Sequence, residues 1–117
     1  MDEKSSTFGK FIRITREGQG ISLRHLAQLC QITHGYLSKI ETGSIVPSPE
    51  NVKTLAANLD VDVDYLFGAL GQIDPDLVQF LLKNGTAFQH ALRRASEKTV
   101  EDQVSFWRDI MKMSNYH

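Results

Sequence analysis

The stretch Ser22-Leu-Arg-His-Leu-Ala-Gln-Leu-Cys-Gln-Ile-Thr-His-Gly-Tyr-Leu-Ser-Lys-Ile-Glu41 decides the fold of this 117-residue chain. It contains two short helical patterns with a few residues between them. Leu23, Leu26, Ala27 and Cys30 share one face of the first. Tyr36, Leu37 and Ile40 share one face of the second. Both follow the 3-4 spacing of a buried helical stripe. Ser22 and Thr33 stand where each helix would start, and a hydroxyl there can accept from otherwise unpaired backbone N–H groups. Two helices joined this tightly must cross at a steep angle. The N-terminal face of the second is then left exposed, and such a face can enter a DNA major groove.

The surrounding residues extend the pattern. Leu26-Ala27, Ile32 after the turn, the run Tyr36-Leu37-Ser38-Lys39-Ile40-Glu41-Thr42-Gly43, Pro47, and Arg16 ahead of Gly20-Ile21-Ser22 together resemble the helix-turn-helix of Cro/cI-type (XRE) phage repressors. The likeness covers about residues 8–68 and is specific, because the run matches the family's "xLSxIExG". Two positions depart from it. Gln31 stands at the turn, where glycine is usual, and a left-handed Gln costs about 1 kcal/mol. Leu23 opens helix 2 where a phosphate-contacting Gln is common.

The resemblance implies an all-α fold: a five-helix, lambda-repressor-like DNA-binding domain, followed here by a short helical C-terminal dimerisation segment. It implies that the helix starting at Thr33 reads the major groove. Thr33, His34, Gly35, Tyr36, Ser38 and Lys39 become the candidate base contacts. His34 can donate or accept at a base edge. Lys39 can donate to guanine N7 and O6 or to a phosphate, and Tyr36 can touch a thymine methyl. Gly35 permits close backbone approach. A glycine inside a helix costs about 1 kcal/mol relative to Ala, so its presence favours a reason beyond packing. Ser22, Leu23 and Arg24 at one helix start, and Thr42, Gly43 and Ser44 after the next helix, are candidate phosphate contacts through backbone N–H groups and side chains. Arg16 and Glu41 resemble a family pair that bonds across helices 1 and 3. Each of these residues also has a plainer reading, as a solvated charge or a partly buried side chain.

Composition is consistent with this reading. Hydrophobic residues make up 41% and charged ones 23%, as in ordinary globular domains. The net charge of −1 argues against a generic nucleic-acid coat. Locally, residues 8–53 hold Lys10, Arg13, Arg16, Arg24, Lys39 and Lys53 against Glu17, Glu41 and Glu50. A weakly basic face on a near-neutral protein suits a binder that relies on base contacts and on pairing of two copies. No apolar run approaches a membrane span, and no basic-then-apolar leader opens the chain. The lone Cys30 excludes an internal disulfide and fits a reducing cytoplasm as a small buried hydrophobe. His25, His34, His90 and His117 lack metal-ligand spacing, Ser38 lacks triad partners, and no phosphate-binding loop occurs. We therefore expect no enzyme, metal or cofactor.

Three segments are expected: a flexible N-terminus at 1–7, the helix-turn-helix domain at 8–70, and a helical oligomerisation segment at 71–117. Helix 1 is expected from Thr7 to Glu17, with Phe8, Phe11, Ile12 and either Ile14 or Thr15 inward. Gly18-Gln19-Gly20 should stop it. Ser48-Pro49-Glu50 is a strong start for helix 4, which carries Val52, Leu55, Ala56 and Leu59. Asp62 can cap helix 5, with Val63, Leu66 and Phe67 inward.

Gly68 to Gln72 reads as a boundary, and Asp74-Pro75-Asp76 starts the next helix. Asn84-Gly85 breaks that helix. In the last one, Val104, Trp107 and Met111 recur at i, i+3 and i+7. About 45 residues are too few to bury such side chains alone without a metal or disulfides. They can pack on the chain's own N-terminal domain or on a second copy. The two-fold symmetry of DNA half-sites favours the second copy, with Phe80, Phe88, Val104, Trp107 and Met111 at the seam.

The expected function is a cytoplasmic, sequence-specific transcriptional regulator of double-stranded DNA, acting as a homodimeric repressor and without membrane contact. The rival is an antitoxin or anti-repressor-type module whose main task is binding a regulatory protein partner.

Overall fold

Asp2 starts the first helix. In the computed structural model, which describes residues 2–114 without the side chains of Phe106, Trp107, Ile110, Met111, Met113 and Ser114, its carboxylate accepts from the N–H groups of Lys4 and Ser5. Helix α1 runs Glu3–Gly18. It therefore begins four residues before the expected Thr7. The expected flexible arm at 1–7 is, from Glu3 onward, the first turn of this helix, and Ser5 is buried in it. A carboxylate one position ahead of a helix accepts the orphan N–H groups of that first turn.

The next four helices are α2 (Leu23–Leu29), α3 (His34–Glu41), α4 (Pro49–Leu59) and α5 (Val63–Ala69). Each start is capped by the residue its sequence offers. Ser22 Oγ accepts from His25 N–H at 3.0 Å, and Thr33 Oγ1 from Tyr36 N–H at 3.1 Å. Ser48 Oγ accepts from Asn51 N–H, and Asp62 Oδ1 from Asp64 N–H. The turn between α2 and α3 closes through Gln31 in the left-handed region, at φ 57°. Ile32 N–H then reaches back to the Ala27 carbonyl.

These five helices enclose one core. Phe8 and Ile12 of α1 meet Leu26, Ala27 and Cys30, then Leu37 and Ile40 of α3. Val52, Leu55, Ala56 and Leu59 of α4 and Leu66 and Phe67 of α5 complete it. Phe11, Leu23, Tyr36 and Val63 form a half-buried rim around these side chains. Of the two alternatives on α1, Thr15 is partly buried and Ile14 is 60% exposed.

One close approach sets the spacing of α1 and α3. A Cβ on Gly9 would collide with the backbone carbonyls of Ile40 and Glu41. Alanine is worth about 1 kcal/mol more than glycine inside a helix. Nevertheless, Gly9→Ala should destabilise the domain by about 1–3 kcal/mol, because two packed backbones must separate. Urea unfolding checks this; an unchanged midpoint would show that the approach is dispensable.

The expected boundary at 70–71 lies later. Leu70 is buried in the core, and Gly71, at φ 68°, closes the end of α5. Gln72 N–H then donates to the Phe67 carbonyl. Asp74 pairs with Lys53 of α4 at 3.3 Å. The first compact unit accordingly ends at Pro75, and the second begins at Asp76.

The second unit is built on α6 (Pro75–Lys83), α7 (Gly85–Ser96) and α8 (Val100–Ser114). Asn84 separates α6 from α7, its side chain donating to the Phe80 carbonyl. Thr99 Oγ1 accepts from Asp102 N–H at the start of α8. Among the described side chains of this unit only Ala95 is buried. Phe80 and Leu82 are 61% and 64% exposed. Leu77, Leu92, Val100 and Val104 are exposed as well, and Phe88 is half-buried. The side chains of Trp107 and Met111, expected at the same seam, lie outside the described residues. No strand occurs among the described residues, and none of their helices is long and apolar enough to cross a membrane.

Candidate nucleic-acid interface

Helix α3 buries Leu37 and Ile40, so the helical period turns the intervening residues outward. His34, Gly35 and Lys39 are exposed. Thr33 caps the helix and is exposed beside them. Ser38 is half-buried on one flank of this surface. Tyr36 is half-buried on the other, against the core, and its hydroxyl accepts from the Asn51 amide at 3.1 Å. Part of its ring therefore packs inward and part stays open.

Helix α3 is locked from behind. Arg16 Nε donates to Glu41 Oε2 at 2.8 Å and its Nη2 to Oε1 at 3.0 Å. Its Nη1 donates to the Ile21 carbonyl at 2.9 Å. The two side chains are only 11% and 6% exposed. The bond to Glu41 raises the Arg16 pKa further above its ordinary value, against the effect of burial. A bidentate Arg–carboxylate pair fixes orientation as well as distance. It ties the last turn of α3 to α1 and to the segment entering α2.

After α3 the backbone closes on the helix itself, not on an outside ligand. Thr42 N–H donates to the Ser38 carbonyl, Gly43 N–H to Ile40, and Ser44 N–H to Lys39. All three N–H groups close the helix end and are not directed at a phosphate. Gly43, at φ 79°, is buried with its Cα against the backbone of Ser6, where a Cβ would stand 2.7 Å from the Ser6 Cα. It is a packing residue and leaves the set of candidate phosphate contacts. Thr42 and Ser44 keep exposed hydroxyls, which bond to each other at 2.9 Å.

At the start of α2, the Ser22 hydroxyl takes the N–H of His25. The first N–H groups of any helix have no acceptor within it, which leaves Leu23 and Arg24 able to offer theirs. The Leu23 side chain turns inward and is half-buried. The Arg24 side chain is exposed and lines one depression with Ala27, Gln28, Ile32, Thr33 and His34. Gln28 joins the surface here. Its spacing of i+4 from Arg24 is the signal that could have found it.

Cys30 is buried at the end of α2, with the Asn58 amide 3.7 Å from its Sγ. Burial pushes the thiol pKa up, and the Asn58 bond opposes this in part. A thiol so placed packs as a small hydrophobe.

The helix-turn-helix family model matches residues 12–66. An uncharacterized HTH-type transcriptional regulator of Mycobacterium tuberculosis is 34% identical over 67 residues, which are 57% of this chain and 48% of the relative. The uncharacterized HTH-type transcriptional regulator RghRB of Bacillus subtilis is 33% identical over 93 residues, 79% of this chain and 58% of its own. The chain thus spans about half the length of these curated relatives. Among solved structures, the restriction-modification controller protein C.AhdI from Aeromonas hydrophila is similar at a TM-score of 0.51 and 32% identity, over 53% of this chain and 94% of that one. Two helices joined by a short turn through Gln31, a capped and outward-facing second helix, the Arg16–Glu41 pair behind it and these likenesses lead to one conclusion: the chain belongs to the Cro/cI-type (XRE) helix-turn-helix family.

Proposed function

We infer that this protein is a sequence-specific DNA-binding transcriptional regulator that presents α3 to the major groove. It acts in the cytoplasm as a homodimeric repressor. The observation that carries this reading is the exposure of His34, Gly35 and Lys39 on a helix whose far end is locked by Arg16. In this reading Thr33, His34, Gly35, Tyr36, Ser38 and Lys39 meet bases, with Tyr36 limited to the part of its ring that stays exposed. Ser22, Leu23, Arg24, Thr42 and Ser44 meet phosphates. No catalytic step, metal or cofactor enters. The relatives' names and the controller role of C.AhdI support regulation of transcription as the task.

His34→Ala and Lys39→Ala should each weaken specific binding by about 1–3 kcal/mol per half-site contact and leave the melting temperature unchanged. Few basic residues are available, so log affinity against log salt should fall with a shallow slope of about −4 to −8 for a dimer. Titration of a selected duplex at several salt concentrations measures both. Wild-type affinity in both variants would reject the assignment of α3 to the groove.

The exposed apolar side chains of the second unit favour one further reading, an anti-repressor or antitoxin-type role in which they cover a regulatory protein. A full-length protein that binds DNA as a monomer but gains a stable second, different chain would favour it over the homodimer.

A further inference from the structure

Arg13 stands on α1, one turn before Glu17. Its Nε donates to Glu17 Oε1 at 2.9 Å, and the two side chains are 63% and 53% exposed. An i, i+4 ion pair this open to water contributes little to stability. Its surroundings give it another use. Arg13 and Glu17 line one depression with Leu23 at the start of α2, Ser38 and Glu41 of α3, and Thr42 at its end. Leu23, Ser38 and Thr42 are residues that the proposed function assigns to phosphates or bases. A guanidinium paired with a carboxylate therefore lies on the surface that would meet the duplex.

We propose that Arg13 is a phosphate-binding residue, held by Glu17 in the free protein and transferred to a DNA phosphate when the duplex docks; the proposal rests on the DNA-binding reading above. Arg16 cannot serve in its place, because its Nε, Nη1 and Nη2 already donate to Glu41 and the Ile21 carbonyl. Arg13 has one exposed partner, and the guanidinium matches the planar oxygen pair of a phosphate better than any other side chain. DNA carries one negative charge per about 1.7 Å of axis, so a docked duplex repels the Glu17 carboxylate as it attracts Arg13. The exchange is driven by that difference. Glu17 competes for the guanidinium in the free protein, and the Arg13 bond holds its carboxyl below the ordinary pKa, which keeps it charged.

Opposite effects from the two partners distinguish this from a structural ion pair. The test uses the full chain and a duplex selected by the protein from random-sequence DNA, titrated by fluorescence anisotropy at several salt concentrations. Arg13→Ala should lose about tenfold in affinity, and its log–log salt slope should become shallower by about 0.9 for each half-site. Arg13→Lys should keep the slope. Glu17→Gln should bind about threefold more tightly, since the competitor is gone. Lys39→Ala serves as the control for the DNA-binding reading. Loss of binding in Lys39→Ala with wild-type affinity and slope in Arg13→Ala overturns the Arg13 proposal alone. A loss in Arg13→Ala without a change of slope, or weaker binding by Glu17→Gln, overturns it too. Failure of the wild-type protein to select any duplex overturns both readings.

Discussion

Arg16→Ala should lower stability by about 3 kcal/mol and, through it, operator affinity. The substitution strips both Arg16 bonds from the Glu41 carboxylate, whose side chain is 6% exposed in the intact pair. It also removes the donor to the Ile21 carbonyl and the packing of the long side chain. Breaking one half of a buried pair costs more than the pair contributes, because the remaining charge cannot recover its hydration. For a domain of this size the loss corresponds to a fall in melting temperature of about 10–20 °C. Glu41→Gln keeps the shape and one acceptor but turns an NH2 donor toward the guanidinium and leaves its charge unpaired, so it should cost about 2–3 kcal/mol, somewhat less than Arg16→Ala. The doubly apolar change of Arg16→Met with Glu41→Leu should recover much of the loss, since neither charge is then stranded. Thermal unfolding of the four proteins measures this. Arg16→Ala melting within a degree or two of the wild type would show that the pair does not hold α3.

The effect on binding follows from position. His34, Gly35 and Lys39 are presented by a helix of only eight residues. So short a helix has no stability of its own and keeps its orientation only through what it touches. Leu37 and Ile40 hold its underside, Gly9 allows α1 to come close, and Arg16 grips Glu41 at its last turn. His34→Ala removes one contact to a base. Arg16→Ala loosens the support of every such contact, and that separates the two variants in the unfolding data.

What the sequence made legible was local. The caps Ser22, Thr33, Ser48 and Asp62 each act on an N–H two or three residues ahead, so their signal is complete within one turn. The buried stripes of α2, α3 and α4 follow from periodicity alone. The Arg16–Glu41 pair spans 25 residues and was legible only through the resemblance to a family. Asp2 as a cap is hidden in the sequence, because a short polar terminus has the composition of a mobile arm. Gly9, Leu70 and Gly43 owe their roles to a backbone or a core that approaches from elsewhere in the chain. No spacing within α1 tells that Gly9 faces two carbonyls of α3. Arg13 and Glu17 count in the sequence only as two of the local charges; the fold sets them beside Ser38 and Thr42.

Truncation after Pro75 should leave a folded monomeric domain and reduce operator affinity by about 100-fold or more. The first unit keeps its core, its close of α5 through Gln72 and the Lys53–Asp74 pair, so circular dichroism should retain its helices. The second unit holds exposed Leu77, Phe80, Leu82, Leu92, Val100 and Val104 on three helices. Side chains of this size on so small a unit would form an apolar patch that invites association. Pairing two units about a two-fold axis would cover it, and a dimer on a two-fold site would place its recognition helices one DNA turn apart, about 34 Å. Linked half-site contacts multiply because the second binding event becomes intramolecular. If the second units pair, removing residues 76–117 would return each half-site contact to an independent event, which is the source of the expected loss. Sedimentation of the full and shortened proteins decides the matter. A full-length protein that stays monomeric at high micromolar concentration, or a shortened one that binds the operator equally tightly, would reject the second unit as the dimerisation element.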